Sequence, residues 1–275
     1  MEFPVLLNGE PASGLPWADR GFAYGDGVFE TIRIAGRQPV LWSLHWSRLV
    51  LGCSRLGISL GAGFRPTLEG WVQSLLDRAP AHDQGIIKIV VTRGCGGRGY
   101  RPADTAPNVV VSFHPLPDNL ARLQQAAVVK RLSHYLVAHP VLSGIKHLNR
   151  LDQVLASREL STEDEGVMLN AEGWVVEGTK TNFLFSKQGR LITPDLCGCG
   201  VEGVMRRYLL EQGVEHQVRV EVEKIAVEQL ADFDGMAIMN SVLGICLVKR
   251  VDRDELPVSG LLVDLQQSVH QKLGL

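Results

Sequence analysis

The sequence predicts a mixed α/β protein made of two domains. Stretches with the two-residue alternation of strands are interspersed with stretches of helical periodicity along most of the 275 residues, a pattern typical of sheets covered by helices. Residues 114–118 (HPLPD) place two prolines between a strand pattern and a helical pattern, which predicts an interdomain linker. We therefore predict a smaller N-terminal domain at 1–113, a linker at 114–121 and a larger C-terminal domain at 122–275.

The predicted N-terminal domain consists of strands and one helix. Residues 29–34 (FETIRI) alternate apolar and polar side chains, as a half-buried strand does. Ser43 is predicted to cap a helix whose apolar residues continue to Leu56 and which ends near Gly57. Further strands are predicted in the N-terminal segment and in two β-branched runs, at 1–8, 85–92 and 108–113.

The predicted C-terminal domain continues the alternation of strands and helices. A helix is predicted at 148–160, where apolar residues at 148, 151, 154 and 155 have helical spacing. Two more helices are predicted to start near Gly203 and near Val227. Strands are predicted at 126–131, 166–170, 174–176, 182–185 and 236–239. A cleft between two such domains is a common place for a small-molecule site.

Composition and charge exclude several classes of partner. The formal net charge is -2, so no overall positive field favours nucleic acid or an anionic membrane. No stretch approaches the roughly 18 apolar residues that span a bilayer, and the N-terminus does not have the pattern of a signal peptide. The odd number of cysteines, five, predicts reduced thiols and a cytoplasmic protein. Cys197 and Cys199 lack a second pair at structural-zinc spacing, so no metal site is predicted.

Lys146 is the candidate nucleophile. It lies in an apolar, glycine-containing segment, 144–149 (GIKHLN), just before the predicted helix. Partial desolvation at such a junction favours the neutral, nucleophilic amine, which suits Schiff-base chemistry with a carbonyl cofactor. A lysine that extends its ammonium group into water is the structural alternative.

Four further positions could hold a cofactor. Glu177 follows a predicted strand, and a carboxylate of this kind can keep a pyridine nitrogen protonated. The glycine turn before the helix at Gly203 could bind a phosphate through backbone N–H groups. Arg48 and Ser241 could add a guanidinium and a hydroxyl. Each has a structural alternative, namely a turn acid, an ordinary glycine turn, a surface arginine and a capping serine.

A glycine-rich segment is a candidate for binding carboxylates. Residues 93–101 interleave Arg93, Arg98 and Arg101 with glycines and Tyr100. The glycines predict a flexible loop, and guanidinium groups bind carboxylates well. A solvated surface loop is the alternative.

The order of these segments resembles a known family. The motifs are DRGFAYGDGVFE at 19–30, HWSRL at 45–49, GIKHLN at 144–149, EGTKTNFLF at 177–185, GVMR at 203–206, and Asn240-Ser241. They are similar to those of the branched-chain and D-amino-acid aminotransferases, the pyridoxal-phosphate (PLP) enzymes of fold type IV. The resemblance covers nearly the whole chain, and it implies a two-domain α/β (α+β) fold with PLP bound in the interdomain cleft.

The resemblance also implies roles for particular residues and an assembly. Lys146 is expected to carry PLP, and Glu177 to pair with its pyridine nitrogen. The family's members are homodimers, so a homodimer is expected. The remaining cofactor-binding set, which includes the phosphate ligands, is Arg48, Gly203, Val204, Met205, Asn240, Ser241, Thr181 and Asn182.

Two features resemble the aminodeoxychorismate lyases of this family more than its aminotransferases. They are RGCGGRGY at 93–100 and IKHLNRLDQVL at 145–155. The implied reaction converts 4-amino-4-deoxychorismate to 4-aminobenzoate and pyruvate in folate biosynthesis. The alternatives are a D-amino-acid or branched-chain aminotransferase, and a non-catalytic protein that binds PLP or another phosphate ligand. The implied substrate-binding residues are Thr31, Phe29, Arg93, Arg98 and Tyr100.

Overall fold

The computed structural model describes residues 4–78 and 83–275, and the chain divides into two compact units. The first unit is Met1–Leu116 with Ile145–Asn149, and the second is Pro117–Gly144 with Arg150–Leu275. The boundary between Leu116 and Pro117 lies within the predicted linker. The short segment that contains Lys146 differs from the prediction, because it belongs to the first unit although the sequence places it in the C-terminal domain.

A six-stranded antiparallel sheet forms the centre of the first unit. Its order is β2-β1-β6-β5-β3-β4. The strands predicted at 29–34, 85–92 and 108–113 are present as β3, β5 and β6. The bounds are β1 Val5–Leu7, β2 Glu10–Pro11, β3 Gly27–Ala35, β4 Gln38–Pro39, β5 Gly85–Thr92 and β6 Asn108–His114.

The described residues of the first unit form three helices: α1 (Arg20–Tyr24), α2 (Trp42–Leu56) and α3 (Phe64–Arg78). Helix α2 packs on β3, and α3 packs on β1 and β6. Helix α2 ends at Gly57 as predicted, but the prediction of Ser43 as its cap is wrong. Leu41 is the N-cap, with φ 55, because the chain turns immediately after β4 and Ser43 already lies inside the first helical turn.

The second unit contains a mixed sheet in which β15 pairs only with β14. The order of the other strands is β12-β11-β10-β13-β14-β7-β8-β9. The pairs β7–β8, β7–β14 and β11–β12 are parallel. The bounds are β7 Ala127–Leu136, β8 Glu165–Asn170, β9 Val175–Glu177, β10 Asn182–Lys187, β11 Arg190–Pro194, β12 Val220–Glu223, β13 Gly235–Asn240, β14 Gly244–Val251 and β15 Asp254–Glu255.

The helices of the second unit differ from the prediction at two places. The helix predicted at 148–160 is α5 and covers only Leu151–Ser157. The helix predicted near Val227 is a 3₁₀-helix, Val227–Asp232, and another 3₁₀-helix covers Gly213–His216. The remaining helices are α4 Leu120–Gln125, α6 Val204–Gln212 and α7 Gly260–Leu273.

Pairing with β3 explains why the predicted helix begins late. The amide of Phe29 donates to the carbonyl of Lys146, and the amide of Leu148 donates to the carbonyl of Gly27, each at 2.9 Å. These bonds tie residues 146–148 to β3, so helical bonding starts only after them. Among the described residues, no helix has the length and apolar character needed to cross a membrane, and no group of three or more His, Cys, Asp or Glu side chains could hold a metal ion.

Candidate active site

Lys146 lies beside the N-terminal end of β3, on the edge opposite β5. Val28 of β3 forms a β-bridge with His147 and pairs with Val91 of β5 on its other edge. The Lys146 side chain is half-buried, and its Nζ lies 4.6 Å from the centre of the Phe29 ring. The structure therefore holds the backbone of the candidate nucleophile by strand pairing and places its amine over an aromatic face.

Phe29 and Thr31 share one face of β3, because side chains two positions apart point to the same side of a strand. Both are half-buried. Lys88 of β5 pairs opposite Thr31, and its Nζ lies 5.7 Å from the Phe29 ring centre. The predicted substrate residues Phe29 and Thr31 are therefore neighbours, and the structure adds a cation, Lys88, that the sequence analysis missed.

The opposite face of β3 carries a buried carboxylate, Glu30. Its neighbours on that face, Val28, Ile32 and Ile34, are buried and apolar. Arg48 of α2 donates from Nε to Glu30 Oε1 at 2.8 Å and from Nη2 to Oε2 at 2.6 Å. His45 Nδ1 also lies 2.6 Å from Oε2. Arg48 is thus a buried, anchored residue and not the surface arginine of the structural alternative.

The pKa values of this cluster follow from burial and charge. Burial by itself raises the pKa of Glu30, but the charge and hydrogen bonds of Arg48, with smaller contributions from His45, lower it to about 2. Burial lowers the pKa of His45, against the raising effect of Glu30. Glu30 escaped the sequence analysis, although a charged residue in the apolar register of a strand is a detectable signal.

The glycine-rich loop after β5 is anchored by Asp26. Arg93 donates to both carboxylate oxygens of Asp26, at 2.7 and 3.0 Å, and to the carbonyls of Leu56 and Gly57. Arg20 Nε also donates to Asp26, at 3.0 Å. Burial raises the pKa of Asp26, but the hydrogen bonds and charges of the two arginines lower it below its usual value.

Arg20 holds the far part of the same loop. Its two terminal nitrogens donate to the carbonyls of Gly99 and Tyr100, at 2.9 and 3.0 Å. Its guanidinium carbon lies 4.7 Å from the Tyr24 ring centre. Arg98 and Arg101 are both exposed. Among the residues that the structure describes, neither of them has a hydrogen-bond or ion-pair partner. The contacts of Arg93 thus favour a structural role, whereas Arg98 presents its side chain to solvent.

In the second unit, Glu177 ends β9 and is buried. Its Oε2 accepts a hydrogen bond from the amide of Val201 at 2.8 Å. The carbonyl of Val201 accepts one from Asn182 Nδ2 at 3.1 Å. Two of the predicted cofactor residues, Glu177 and Asn182, therefore fix the segment that leads into α6.

The start of α6 has the features of an anion site. Gly203 is the N-cap and has no side-chain cap bond, so the first N–H groups of a nine-residue helix, which lack intrahelical acceptors, face the turn. A Cβ at Gly203 would lie 1.9 Å from Asn182 Oδ1, so only glycine fits there. Val204 and Met205 form the first turn of α6, as predicted, and a phosphate is the anion that such a turn commonly binds.

Asn240 and Thr181 make structural contacts in the second unit. Asn240 Oδ1 accepts hydrogen bonds from the amides of Val242 and Leu243, at 2.9 and 2.8 Å. This bonding shapes the turn that carries the buried Ser241. Thr181 Oγ1 donates to Glu165 Oε2 at 2.9 Å, and Glu165 is a residue that the sequence analysis did not single out.

Known proteins resemble the chain over nearly its whole length. An aminodeoxychorismate lyase of Vibrio harveyi is 35% identical over 254 residues, which cover 90% of this chain and 92% of that protein. The crystal structure of 4-amino-4-deoxychorismate lyase from Pseudomonas aeruginosa is 38% identical, with a TM-score of 0.90 over 98% of this chain and 100% of that one. The PLP-bound form of a hypothetical aminotransferase from Mycobacterium tuberculosis shares the fold, with a TM-score of 0.86, 19% identity and 98% coverage of both chains.

Residues 27–251 match the family described as Amino-transferase class IV. The matched region contains Lys146, Glu177 and the start of α6, and it extends over most of both units. The predicted fold class is confirmed by this match and by the structural likeness to the Pseudomonas lyase. The chain therefore belongs to the class IV aminotransferase family and has the α/β fold of the fold-type IV PLP enzymes.

Proposed function

We propose that this protein is a PLP-dependent lyase that converts 4-amino-4-deoxychorismate to 4-aminobenzoate and pyruvate, a reaction of folate biosynthesis. The observation that carries the proposal is the likeness, along nearly the entire chain, to the lyases of Vibrio harveyi and Pseudomonas aeruginosa. The anchored loop at 93–101 and the segment around Lys146 support the same function. Fold alone does not choose between a lyase and an aminotransferase.

The residues present fit PLP. The first turn of α6 has no side-chain cap, and Gly203 before it leaves no room for a Cβ atom. Both features suit a phosphate. Glu177 is a buried carboxylate that can keep a pyridine nitrogen protonated. When bound, PLP supplies an electron sink that stabilises a carbanion on the substrate. In the proposed set Lys146 holds the aldehyde, Glu177 the pyridine nitrogen, and Arg48, Gly203, Val204, Met205 and Ser241 the phosphate, with Thr181, Asn182 and Asn240 shaping the surrounding turns.

Lys146 is proposed to move the proton. In its neutral form the amine takes the proton from C4 of the substrate ring, the carbon that bears the amino group. Loss of the enolpyruvyl group from the neighbouring carbon then makes the ring aromatic, and return of a proton to that group gives pyruvate. In this scheme the protein has to orient one amine and move one proton. Strand pairing with β3 limits the backbone motion of Lys146, which helps to orient that amine.

The substrate's two carboxylates are proposed to bind cations and hydroxyls of the first unit. Arg98 and Tyr100 are exposed on a loop whose backbone Arg20 and Asp26 hold. Phe29 and Thr31 share a face of β3. Lys88 pairs opposite Thr31, and its Nζ lies near the Phe29 ring. Arg93, also predicted from the sequence, is proposed to act on the substrate only through the loop that it anchors.

We also propose a homodimer that works in the cytoplasm. Leu151, Val154 and Leu155 follow one face of α5 at helical spacing, and they are 74%, 55% and 45% exposed. Contiguous exposed apolar side chains of this kind favour a protein interface. All five cysteines are free thiols, which suits a reducing compartment.

The experiment that tests the function uses the purified protein with PLP and 4-amino-4-deoxychorismate. Pyruvate is followed through a coupled lactate dehydrogenase assay, and 4-aminobenzoate is quantified separately. Equal amounts of the two products support the proposal. A PLP-bound protein that makes no pyruvate but passes amino groups to 2-oxo acids would instead be an aminotransferase, and a protein that does not bind PLP would contradict the proposal entirely.

A further inference from the structure

Glu165, the first residue of β8, has a fully buried carboxylate with 0% exposure. The described residues supply it with no ion-pair partner, and neutral groups surround it instead. The amide and hydroxyl of Thr179 donate to Oε1 at 2.7 and 2.6 Å. The amide of Lys180 and the hydroxyl of Thr181 donate to Oε2 at 3.3 and 2.9 Å. Its own neighbour, Gly166, adds an amide at 2.9 Å.

Four of these five donors come from one short turn. Residues 178–181 connect β9 to β10, and the amide of Gly178 donates to the carbonyl of Thr181 at 2.7 Å. A Cβ at Gly178 would lie 2.4 Å from Thr181 Oγ1 and 2.7 Å from Glu165 Cδ. The turn therefore closes tightly around the carboxylate, and its shape depends on having acceptors at both carboxylate oxygens.

The turn directly follows Glu177 and leads into Asn182. Both residues also reach the segment before α6, because Glu177 Oε2 accepts from the amide of Val201 and Asn182 donates to its carbonyl. Any change in the turn would therefore move the Glu177 carboxylate and the entry to α6 together.

We propose that Glu165 is a positioning residue for the cofactor. By holding the 178–181 turn it fixes the Glu177 carboxylate, and with it the segment before α6, in the geometry that binds PLP, without touching the cofactor itself. The inference rests on the PLP part of the proposed function and is independent of which reaction the protein catalyses.

The variant Glu165→Gln separates this role from general stability. Glu165→Gln keeps the size of the side chain but replaces one acceptor oxygen with an NH₂ group that donates. That NH₂ group must face either the donors of Gly166 and Thr179 or those of Lys180 and Thr181. A threonine hydroxyl can turn and accept from it, but a backbone N–H cannot, so at least one buried amide loses its acceptor. The turn then rearranges, and Glu177 with it.

The experiment compares variants by PLP titration of the apoprotein. Glu165→Gln is paired with Glu172→Gln, the same change at an exposed residue in the turn between β8 and β9. Thr179→Val is paired with Thr179→Ser, because valine removes the 2.6 Å hydroxyl donor and serine keeps it. Three quantities are measured: the dissociation constant of PLP, the pH midpoint of the visible absorbance of the bound cofactor, and the melting temperature of the apoprotein.

We expect Glu165→Gln to weaken PLP binding by about tenfold or more, the effect of leaving buried donors unpaired, and to shift the pH midpoint of the absorbance. Thr179→Val should shift both quantities in the same direction, and Thr179→Ser and Glu172→Gln should leave them as in the wild type. A lowered melting temperature with unchanged PLP affinity and pH midpoint in both Glu165→Gln and Thr179→Val would overturn the inference. Wild-type protein that binds PLP but makes no pyruvate would overturn only the lyase function, and wild-type protein that cannot bind PLP would overturn both.

Discussion

Arg48 and Glu30 form a two-point ion pair inside the first unit. Two nitrogens of the guanidinium donate to the two carboxylate oxygens, at 2.8 and 2.6 Å, and both side chains are almost fully buried. This geometry fixes the plane of the guanidinium group. An arginine that must bind a phosphate gains from such fixing, because less side-chain freedom is lost on binding.

Replacing Glu30 should therefore weaken both stability and cofactor binding. Glu30→Gln removes the charge that compensates buried Arg48, and breaking such a pair costs about 3 kcal/mol or more of unfolding free energy. Urea unfolding of the apoprotein measures the loss, and PLP titration measures the expected decrease in affinity. Glu69→Gln is the control, because its ion pair with Arg65 is about half-exposed and should contribute less than about 1 kcal/mol. Equal losses in the two variants would contradict the prediction.

Glu30 also predicts a pH dependence of stability. Its pKa is lowered in the folded protein from 4.5 to about 2, so the unfolded chain binds the proton more tightly. The stability that Glu30 contributes is therefore present above its unfolded pKa and is lost as the pH falls from 4.5 toward 2. The unfolding free energy of the wild type should fall more steeply across this range than that of Glu30→Gln. Parallel curves for the two proteins would show that Glu30 is not responsible.

The sequence could predict those parts of the fold that depend on local pattern. The alternation at 29–34 predicted β3, and the glycine turn at 203 predicted the start of α6. Helix α3 was missed although Leu68, Val72 and Leu75 have helical spacing and are buried. That signal was present and was not used.

Features that depend on distant partners could not be predicted in the same way. The late start of α5 follows from pairing of residues 146–148 with β3, about 120 residues earlier in the chain. The role of Glu165 depends on a turn that begins 13 residues later, and no periodicity marks it. The bonds of Arg93 to Asp26 are another such feature, because they join two residues that lie 67 positions apart in the chain.

Asp26 is expected to affect the substrate and not the cofactor. Asp26→Asn keeps the side-chain size but removes the charge that holds Arg20 and Arg93, so the glycine-rich loop should loosen. If Arg98 and Tyr100 bind the substrate carboxylates, KM for 4-amino-4-deoxychorismate should rise about tenfold, as expected when a charged hydrogen bond is lost, while the absorbance of bound PLP stays unchanged. Asp77→Asn provides the control, because its ion pair with Arg37 is exposed. An unchanged KM in Asp26→Asn would remove the loop from substrate binding.

Lys146 gives the last prediction, with Lys88 as its comparison. Both amines lie near the Phe29 ring, at 4.6 and 5.7 Å from its centre. Both are primary amines, which in neutral form can react with an aldehyde. Lys146→Ala should lose the covalently held cofactor and nearly all turnover, because it removes the amine that we propose holds the aldehyde and moves the proton. Lys88→Ala should still hold the cofactor covalently. Borohydride reduction followed by peptide mass spectrometry distinguishes the two residues, since only a peptide containing residue 146 should carry the reduced cofactor. A label on Lys88 in the wild type, or full activity of Lys146→Ala, would assign the chemistry to a different residue.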